Sequence, residues 1–335
     1  MLTYLIILLD DTSTSYCHYE VTKAERRLIS LDDLKAGILF AMKENLNIQF
    51  VYPDYELPQE YQDAIESIDH TKIKPESQIG EADVVVVDNW KDCNLDALEG
   101  ETCVIRTDMA NLKSHCDAVK NLLAKVARLN LVLTGIDRFN DGHIEEYQNV
   151  LESLSEYVLE LYRNGNTVQL NILTDRMMLS EMNNCNAGYS NVTLAPNGKF
   201  YLCPAFYYDN EQDCVGDLSI GVDVKNNQLL RLDHAPICRR CDAFQCRRCI
   251  WMNTKLTMDS NTPSHQQCVV AHLERNASRG LQMTSCPMSM EPRMMQSSML
   301  STHKKTRMQI LSPGANNSTS RDKFSAQAIF SYHAT

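Results

Sequence analysis

The sequence predicts an α/β protein, a partial (β/α) barrel or parallel sheet followed by a loop-rich, cysteine-rich domain. Three observations carry this reading. Apolar runs of strand length alternate with segments of helical period from Met1 to about Thr174. After Thr174 the texture changes to Gly and Asn turns and short strands. Nine of the thirteen cysteines fall between Cys185 and Cys286.

The strands expected in order are Tyr4 to Leu9, Ile48 to Tyr52, Asp83 to Val87, Cys103 to Arg106, Leu129 to Thr134 and Val168 to Leu173, each apolar and of strand length. Helices fit between several of them. Leu31 to Asn45 has Ser30 as N-cap with Asp33 three residues on; Gln59 to Ile68 and Leu112 to Arg128 follow. The clearest helix runs from His143 to about Arg163, with Ile144, Tyr147, Val150, Leu151, Leu154, Tyr157, Val158 and Leu161 on one face and Gly165 as its stop. It joins two expected strands, which predicts a βαβ unit with a right-handed crossover into a parallel sheet. Short strands such as Val192 to Leu194 and Lys199 to Leu202 belong to the second domain. Ser264 and Gln267 form an expected capping box for a closing helix. The expected division is 1–176, an α/β domain; 177–275, the cysteine-rich domain; and 276–335, a serine- and methionine-rich tail without apolar periodicity, expected to be disordered.

A chain of 335 residues, 44% hydrophobic, can bury its core without help from a metal. Its net charge of −11 excludes the basic face that nucleic-acid binding requires. The opening MLTYLIILLDD lacks a preceding basic residue and is cut short by Asp10 and Asp11, so it reads as a buried strand rather than a signal peptide. No run reaches the length of a membrane span. The expected location is the cytoplasm, where thiols stay reduced and clustered cysteines favour metal binding over disulfides.

Cys238-x2-Cys241-x4-Cys246-x2-Cys249 places four thiols in one loop, and a two-residue gap lets both members of a pair reach one ion or cluster face. Structural zinc sites separate their cysteine pairs by a longer ribbon, whereas compact ferredoxin-type runs draw on outlying cysteines. Cys185, Cys203 and Cys268 are available for that role. Iron-sulfur is the favoured cofactor, one or two 4Fe-4S clusters, with zinc as the alternative. The arginines Arg239, Arg240, Arg247 and Arg248 interleave with these ligands and suit charge compensation; Pro204, Tyr207, Tyr208 and Trp251 read as packing.

Cys185, Gly198-x4-Cys203, the inner run and Cys268 together resemble the seven-cysteine SPASM domain of radical SAM peptide maturases, although the last two gaps of the inner run are each one residue shorter than usual. The resemblance implies that Cys185, Cys203 and Cys249 hold a first auxiliary 4Fe-4S cluster, completed by Cys214, a substrate or water. It implies that Cys238, Cys241, Cys246 and Cys268 hold a second. It also implies a first domain resembling a radical SAM core, with C-x3-C-x-aromatic-C in the loop after the first strand. Aligned on Cys17, with Tyr16 as the aromatic, that motif has Asp10 and Thr14 where two cysteines belong. The Gly-Gly-Glu expected after the second strand is replaced by Tyr52-Pro53-Asp54-Tyr55-Glu56.

His18, His70, His143 and His234 are isolated and read as packing or surface. Asp175-Arg176 follows an expected strand where α/β sites gather, and a helix cap and surface charge explain it as well. Cys93, Cys103 and Cys116 form no substitute triad by spacing. LIILLDDTSTSYCHYE, LNLVLTGIDRF, LNILTDRMML with NNCNAG, and the stretch from LAPNGKFYLCPAFYY to NTPSHQQCVVAHLERNASR resemble the CXXX repeat peptide maturase family over about Met1 to Leu281. That family implies a ribosomally made precursor peptide with repeated cysteines as substrate and a companion radical SAM enzyme as partner. No membrane or nucleic-acid partner is expected.

Overall fold

A computed structural model describes residues 2–88, 94–180, 184–244, 246 and 249–285. Six parallel strands come first, β1 (Tyr4–Leu8), β2 (Asn47–Val51), β3 (His70–Pro75), β4 (Val84–Val87), β5 (Thr102–Thr107) and β6 (Arg128–Leu133), each paired with the next in sequence. Three helices of this half are α1 (Leu31–Glu44), α2 (Gln59–Ile65) and the long α5 (Asp141–Arg163). Between β5 and β6 the expected single helix is two, α3 (Met109–Ser114) and α4 (Cys116–Leu123), broken at His115. Each strand adds to the same side of its predecessor, the order expected of a winding α/β sheet.

The chain then returns to the opposite edge. β7 (Asn191–Leu194) pairs parallel with β1, and β8 (Phe200–Tyr201) pairs antiparallel with β7, giving the order β6-β5-β4-β3-β2-β1-β7-β8. The cysteine-rich half is thereby stitched into the sheet it follows. It continues through α6 (Pro204–Asp209), the hairpin β9 (Gly216–Asp217) and β10 (Gly221–Val222), α7 (Ile250–Thr257) and α8 (His265–Ser285). The last helix runs on past Arg275 to Ser285, and residues beyond 285 lie outside the described part.

The period of two along each strand sorts the core into faces. Leu5, Ile7, Ile48 and Phe50 point outward under α1 and α2, with Leu34 and Ile38. Val85, Cys103, Ile105, Leu129 and Leu131 point outward under α3 to α5 and α8. The other parity, Ile6, Leu8, Val51, Ile73, Val84, Val86, Val104 and Val132, faces a third cluster made largely by the cysteine-rich half: Tyr201, Phe206, Tyr207, Tyr208 and Ile250. The inner face of the sheet is therefore filled by the protein's own side chains.

Two expectations change. The strand expected at Val168 to Leu173 is reduced to one parallel bridge, Leu129 to Leu170. Asn171 is the reason: its side-chain amide accepts from Leu131 N at 2.9 Å and donates to Leu131 O at 3.1 Å, replacing a peptide of the ladder. The chain then turns, with Thr174 N donating back to Leu170 O at 2.8 Å. Conversely β3 is absent from the expected strands, because Lys72 and Lys74 interrupt its apolar pattern. Lys74 is buried, pairs with Glu81 at 2.9 Å and lies over the Tyr52 ring; Lys72 pairs with Glu66.

Caps follow the sequence. Ser30 Oγ accepts from Asp33 N at 3.0 Å, and Ser264 and Gln267 exchange bonds of 2.8 and 3.3 Å. Tyr147 of α5, fully buried, donates to Glu274 Oε1 of α8 at 2.7 Å. Substituting Tyr147→Phe leaves that carboxylate short of a partner and is expected to destabilise the fold by about 1–3 kcal/mol, read as a lower urea midpoint at unchanged slope; an unchanged midpoint would show that α8 docks independently of this bond.

Candidate cluster-binding site

The loop after β1 lies over the inner face of the sheet, with Tyr16, Cys17 and Tyr19 packed against it. Asp10, Asp11, Ser13 and Ser15 are all buried there, and buried polar groups require partners. Asp10 Oδ1 accepts from Thr12 N at 2.8 Å and Thr12 Oγ1 at 2.6 Å, and its Oδ2 accepts from Tyr55 OH at 2.8 Å. Ser13 Oγ donates to Val51 O at 2.8 Å, and Thr14 N donates to Tyr52 O at 2.9 Å. Asp10 and Thr14 are thus tied to Tyr55 and Tyr52 of the segment after β2. Desolvation and the bond to Asp10 push the Tyr55 hydroxyl upward, so it stays a donor.

Arg106 holds the next part of the loop from within the sheet. It is 8% exposed on the inner face of β5. Its Nε donates to Cys17 O at 2.8 Å, Nη2 to Tyr19 O at 2.7 Å and Glu20 at 2.8 Å, and Nη1 to Asp88 at 2.8 Å. Ser15 Oγ closes the turn on Tyr19 O at 2.6 Å. Tyr19 stacks on Tyr208 of α6 with centroids 5.4 Å apart and planes 13° apart, and Thr22 Oγ1 donates to Tyr208 O at 2.8 Å. Tyr207 donates to Asp11, and Arg27 joins Asp11 at 3.2 Å and Glu211 at 2.8 Å.

The SPASM resemblance implies two groups of thiols. Cys203 is the N-cap of α6, directly before the stacked tyrosines. Cys249 is the N-cap of α7, its sulfur accepting from Met252 N at 3.5 Å. Burial raises both thiols above the usual cysteine value, and neighbouring cysteines add to it: Cys185 and Cys17 at Cys203; Cys17, Cys203 and Cys185 at Cys249. Tyr16, raised first by its own burial, feels Cys17, Cys203 and Cys185 as well. Cys17, Cys203 and Cys214 all pack against the inner-face cluster, whereas Cys249 packs against the cluster under α5 and α8 and Cys185 is exposed.

In the second group Cys238 opens a short 3-10 turn and Cys241 N donates back to Cys238 O at 2.9 Å. Burial pushes Cys246 up to about 12; Arg176 opposes this, while Cys238, Glu274 and Cys268 add to it. Cys268, in the first turn of α8, is raised by burial and by Cys241. Arg176 is buried, paired with Glu274 and donating to Phe244 O, while Arg128 pairs with Asp175. Asp175 and Arg176, which the sequence left open between a site position and a cap with surface charge, are internal ties that seat the inner loop against α8. Arg275 and Arg279 tie the same loop through Asp242. His272, one turn after Cys268 on α8, places Nε2 3.5 Å from Cys241 Sγ. Sequence reading missed it, although its i,i+4 spacing from Cys268 was the available signal.

Of the other singled-out residues, Cys103 is buried on the outer face and Cys116 packs beside it, away from either group. His70 bonds Ile68 O, and His143 completes the cap of α5. Cys93, Arg247 and Arg248 lie outside the described residues. Among the described residues no three His, Cys, Asp or Glu side chains converge closely enough for a single metal ion, and no helix is long and apolar enough to cross a membrane.

These features define an α/β protein whose mostly parallel sheet resembles the core of radical SAM enzymes. No family model matches the chain, and no curated protein is similar to it. Among solved structures it is similar to anSMEcpe, a radical SAM enzyme. The histidine-tagged form with bound AdoMet superposes with a TM-score of 0.59 at 11% identity, covering 90% of this chain and 99% of that one. Native anSMEcpe with bound AdoMet and Cp18Cys peptide gives 0.57 at 12% identity, covering 84% and 98%. At these identities the likeness is one of fold.

The Glu211 carboxyl, though burial works against it, is held down to about 2 by Lys23, Arg27 and Asn197. Its folded value lies below the ordinary 4.5, so its contribution is present above pH 4.5 and is lost as pH falls toward 2. Glu211→Gln is expected to melt several degrees lower than the parent at pH 7, with the gap narrowing as pH drops through that window. A gap independent of pH would place the effect elsewhere.

Proposed function

We propose that this protein serves the maturation of a ribosomally made peptide with CXXX cysteine repeats, as a cluster-bearing partner of a true radical SAM enzyme. Cys185, Cys203 and Cys249 would hold a first auxiliary 4Fe-4S cluster, and Cys238, Cys241, Cys246 and Cys268 a second. When bound, such clusters supply one-electron transfer at potentials tuned by hydrogen bonds and burial.

The observation that carries the reading is the placement of two of these thiols at helix starts, Cys203 as N-cap of α6, packed against the inner-face cluster, and Cys249 as N-cap of α7, which supports the order of cysteines the SPASM pattern implies. The donor chemistry fits the group. Cys249 caps a helix and accepts from Met252 N, which opposes the burial that holds its thiol protonated, and Cys268 lies in the first turn of another. His272 is positioned to donate to Cys241.

The residues of the first loop support an accessory role. With Asp10 and Thr14 engaged in hydrogen bonds and a single cysteine at Cys17, the loop offers no triad to hold a cofactor-binding cluster. The chain's own work is then to bind the peptide and relay electrons, while radical generation belongs to the partner. Solved anSMEcpe structures bind peptides, which supports a peptide as the ligand of this scaffold.

Anaerobically purified protein is expected to be brown, with about eight irons and eight sulfides per chain for two 4Fe-4S clusters, and to raise the anisotropy of a labelled synthetic CXXX-repeat peptide. Colourless protein with zinc and no labile sulfide would replace this reading with a zinc-stabilised peptide-binding adaptor; iron-loaded protein blind to the peptide would remove the peptide from it.

A further inference from the structure

Five buried tyrosines join the β1 loop to the cysteine-rich half, and we propose that they form an electron-transfer chain that discharges thiyl radicals at Tyr207, with Asp11 taking the phenolic proton. This role stands apart from the cluster reading above and needs no metal.

The rings are continuous. Tyr16 meets Tyr19 edge-on with centroids 6.0 Å apart, Tyr19 stacks on Tyr208 at 5.4 Å, Tyr208 meets Tyr207 at 5.3 Å and Tyr207 meets Tyr201 at 5.1 Å. All five are buried, and rings in such contact couple their π systems as well as their surfaces. A thiol lies beside each end: Cys17 follows Tyr16, and Cys203 comes two residues after Tyr201. Both thiols pack against the same inner-face cluster as the rings.

The hydroxyls set Tyr207 apart. Tyr19, Tyr208 and Tyr201 donate to backbone carbonyls, Thr14 O at 3.3 Å, Ser13 O at 3.4 Å and Glu211 O at 2.9 Å, which do not take up a proton. Tyr207 donates to the carboxylate of Asp11, which does, and Arg27 Nη2 donates to the phenolic oxygen at 2.7 Å. Burial and the bond to Asp11 keep the hydroxyl protonated until an electron leaves. Lys23 Nζ stands 4.2 Å from the Tyr207 ring centre. A cation there opposes positive charge on the ring, so the electron departs together with the proton and the product is a neutral phenoxyl radical. The step balances: the thiyl sulfur gains one electron and becomes a thiolate, Tyr207 loses one electron as its O–H bond breaks, and the proton forms an O–H bond on Asp11. The unpaired electron ends on an oxygen still held by Arg27.

The test is pulse radiolysis of the full chain with excess glutathione under nitrous oxide, which makes thiyl radicals, followed by phenoxyl absorption and freeze-quench EPR. Wild type is expected to form a tyrosyl radical, more slowly in deuterated water, whose EPR pattern is missing in Tyr207→Phe and kept in Tyr157→Phe, a tyrosine of α5 outside the chain. Asp11→Asn, unable to take the proton, is expected to slow its formation by about a hundredfold. With Cys203→Ser leaving Cys17 as the entry point, adding Tyr19→Leu is expected to abolish the radical. The same radical in folded Tyr207→Phe, an unchanged rate in Asp11→Asn, or no tyrosyl radical in wild type would overturn the assignment. Asp11→Asn and the solvent isotope effect carry the test if Tyr207→Phe does not fold.

Discussion

Arg106 is a cation buried in the inner face of a parallel sheet, and the protein is built so that it is never short of acceptors. A buried guanidinium stripped of partners costs about 3–5 kcal/mol. Here two carbonyls and two carboxylates surround it, Cys17 O, Tyr19 O, Glu20 and Asp88. Meeting that requirement draws the loop after β1 down over the strands. Once the loop lies there, Asp10 and Asp11 are also buried, and Tyr55, Tyr207 and Arg27 are recruited to them. The packing of α6 on the sheet and the closure of the inner face follow from the same demand.

The same arrangement relates the two halves of the chain. β7 adds to the edge beside β1, which brings Cys203 and its helix across the inner face to meet the Cys17 turn. At the other end, α8 lies along α5, and Glu274 joins Tyr147, Arg176 and the loop of Phe244 in one buried group. Cys203 is thereby seated at the start of α6 against the inner-face cluster with Cys17, and Cys268 in the first turn of α8.

Much of this was legible in the residues. Ser30 with Asp33, the apolar stripe of α5 and the run of strands announced the α/β half, and the Cys-x2-Cys pairs announced a thiol-rich site. The failures have physical causes. β3 hid because Lys72 and Lys74 find carboxylates and an aromatic ring outside the strand. The strand at Val168 dissolved because a side-chain amide, Asn171, took the place of its ladder. Arg106 was invisible because a sheet face, not sequence spacing, brings it to the carbonyls of Cys17 and Tyr19, and His272 was missed although its spacing from Cys268 was readable. The inner-face role of Tyr207 and Tyr208 was foreseen as packing, but what they pack against depends on where β7 joins the sheet.

The fold resembles the core of radical SAM enzymes, and the central proposal is that the first loop of this chain holds no cofactor-cleaving cluster. Its most direct test is reductive cleavage of S-adenosylmethionine by the anaerobically reconstituted, reduced protein alone, with 5'-deoxyadenosine quantified over time. The account expects none above the protein-free background; catalytic production in the absence of a partner enzyme would contradict it.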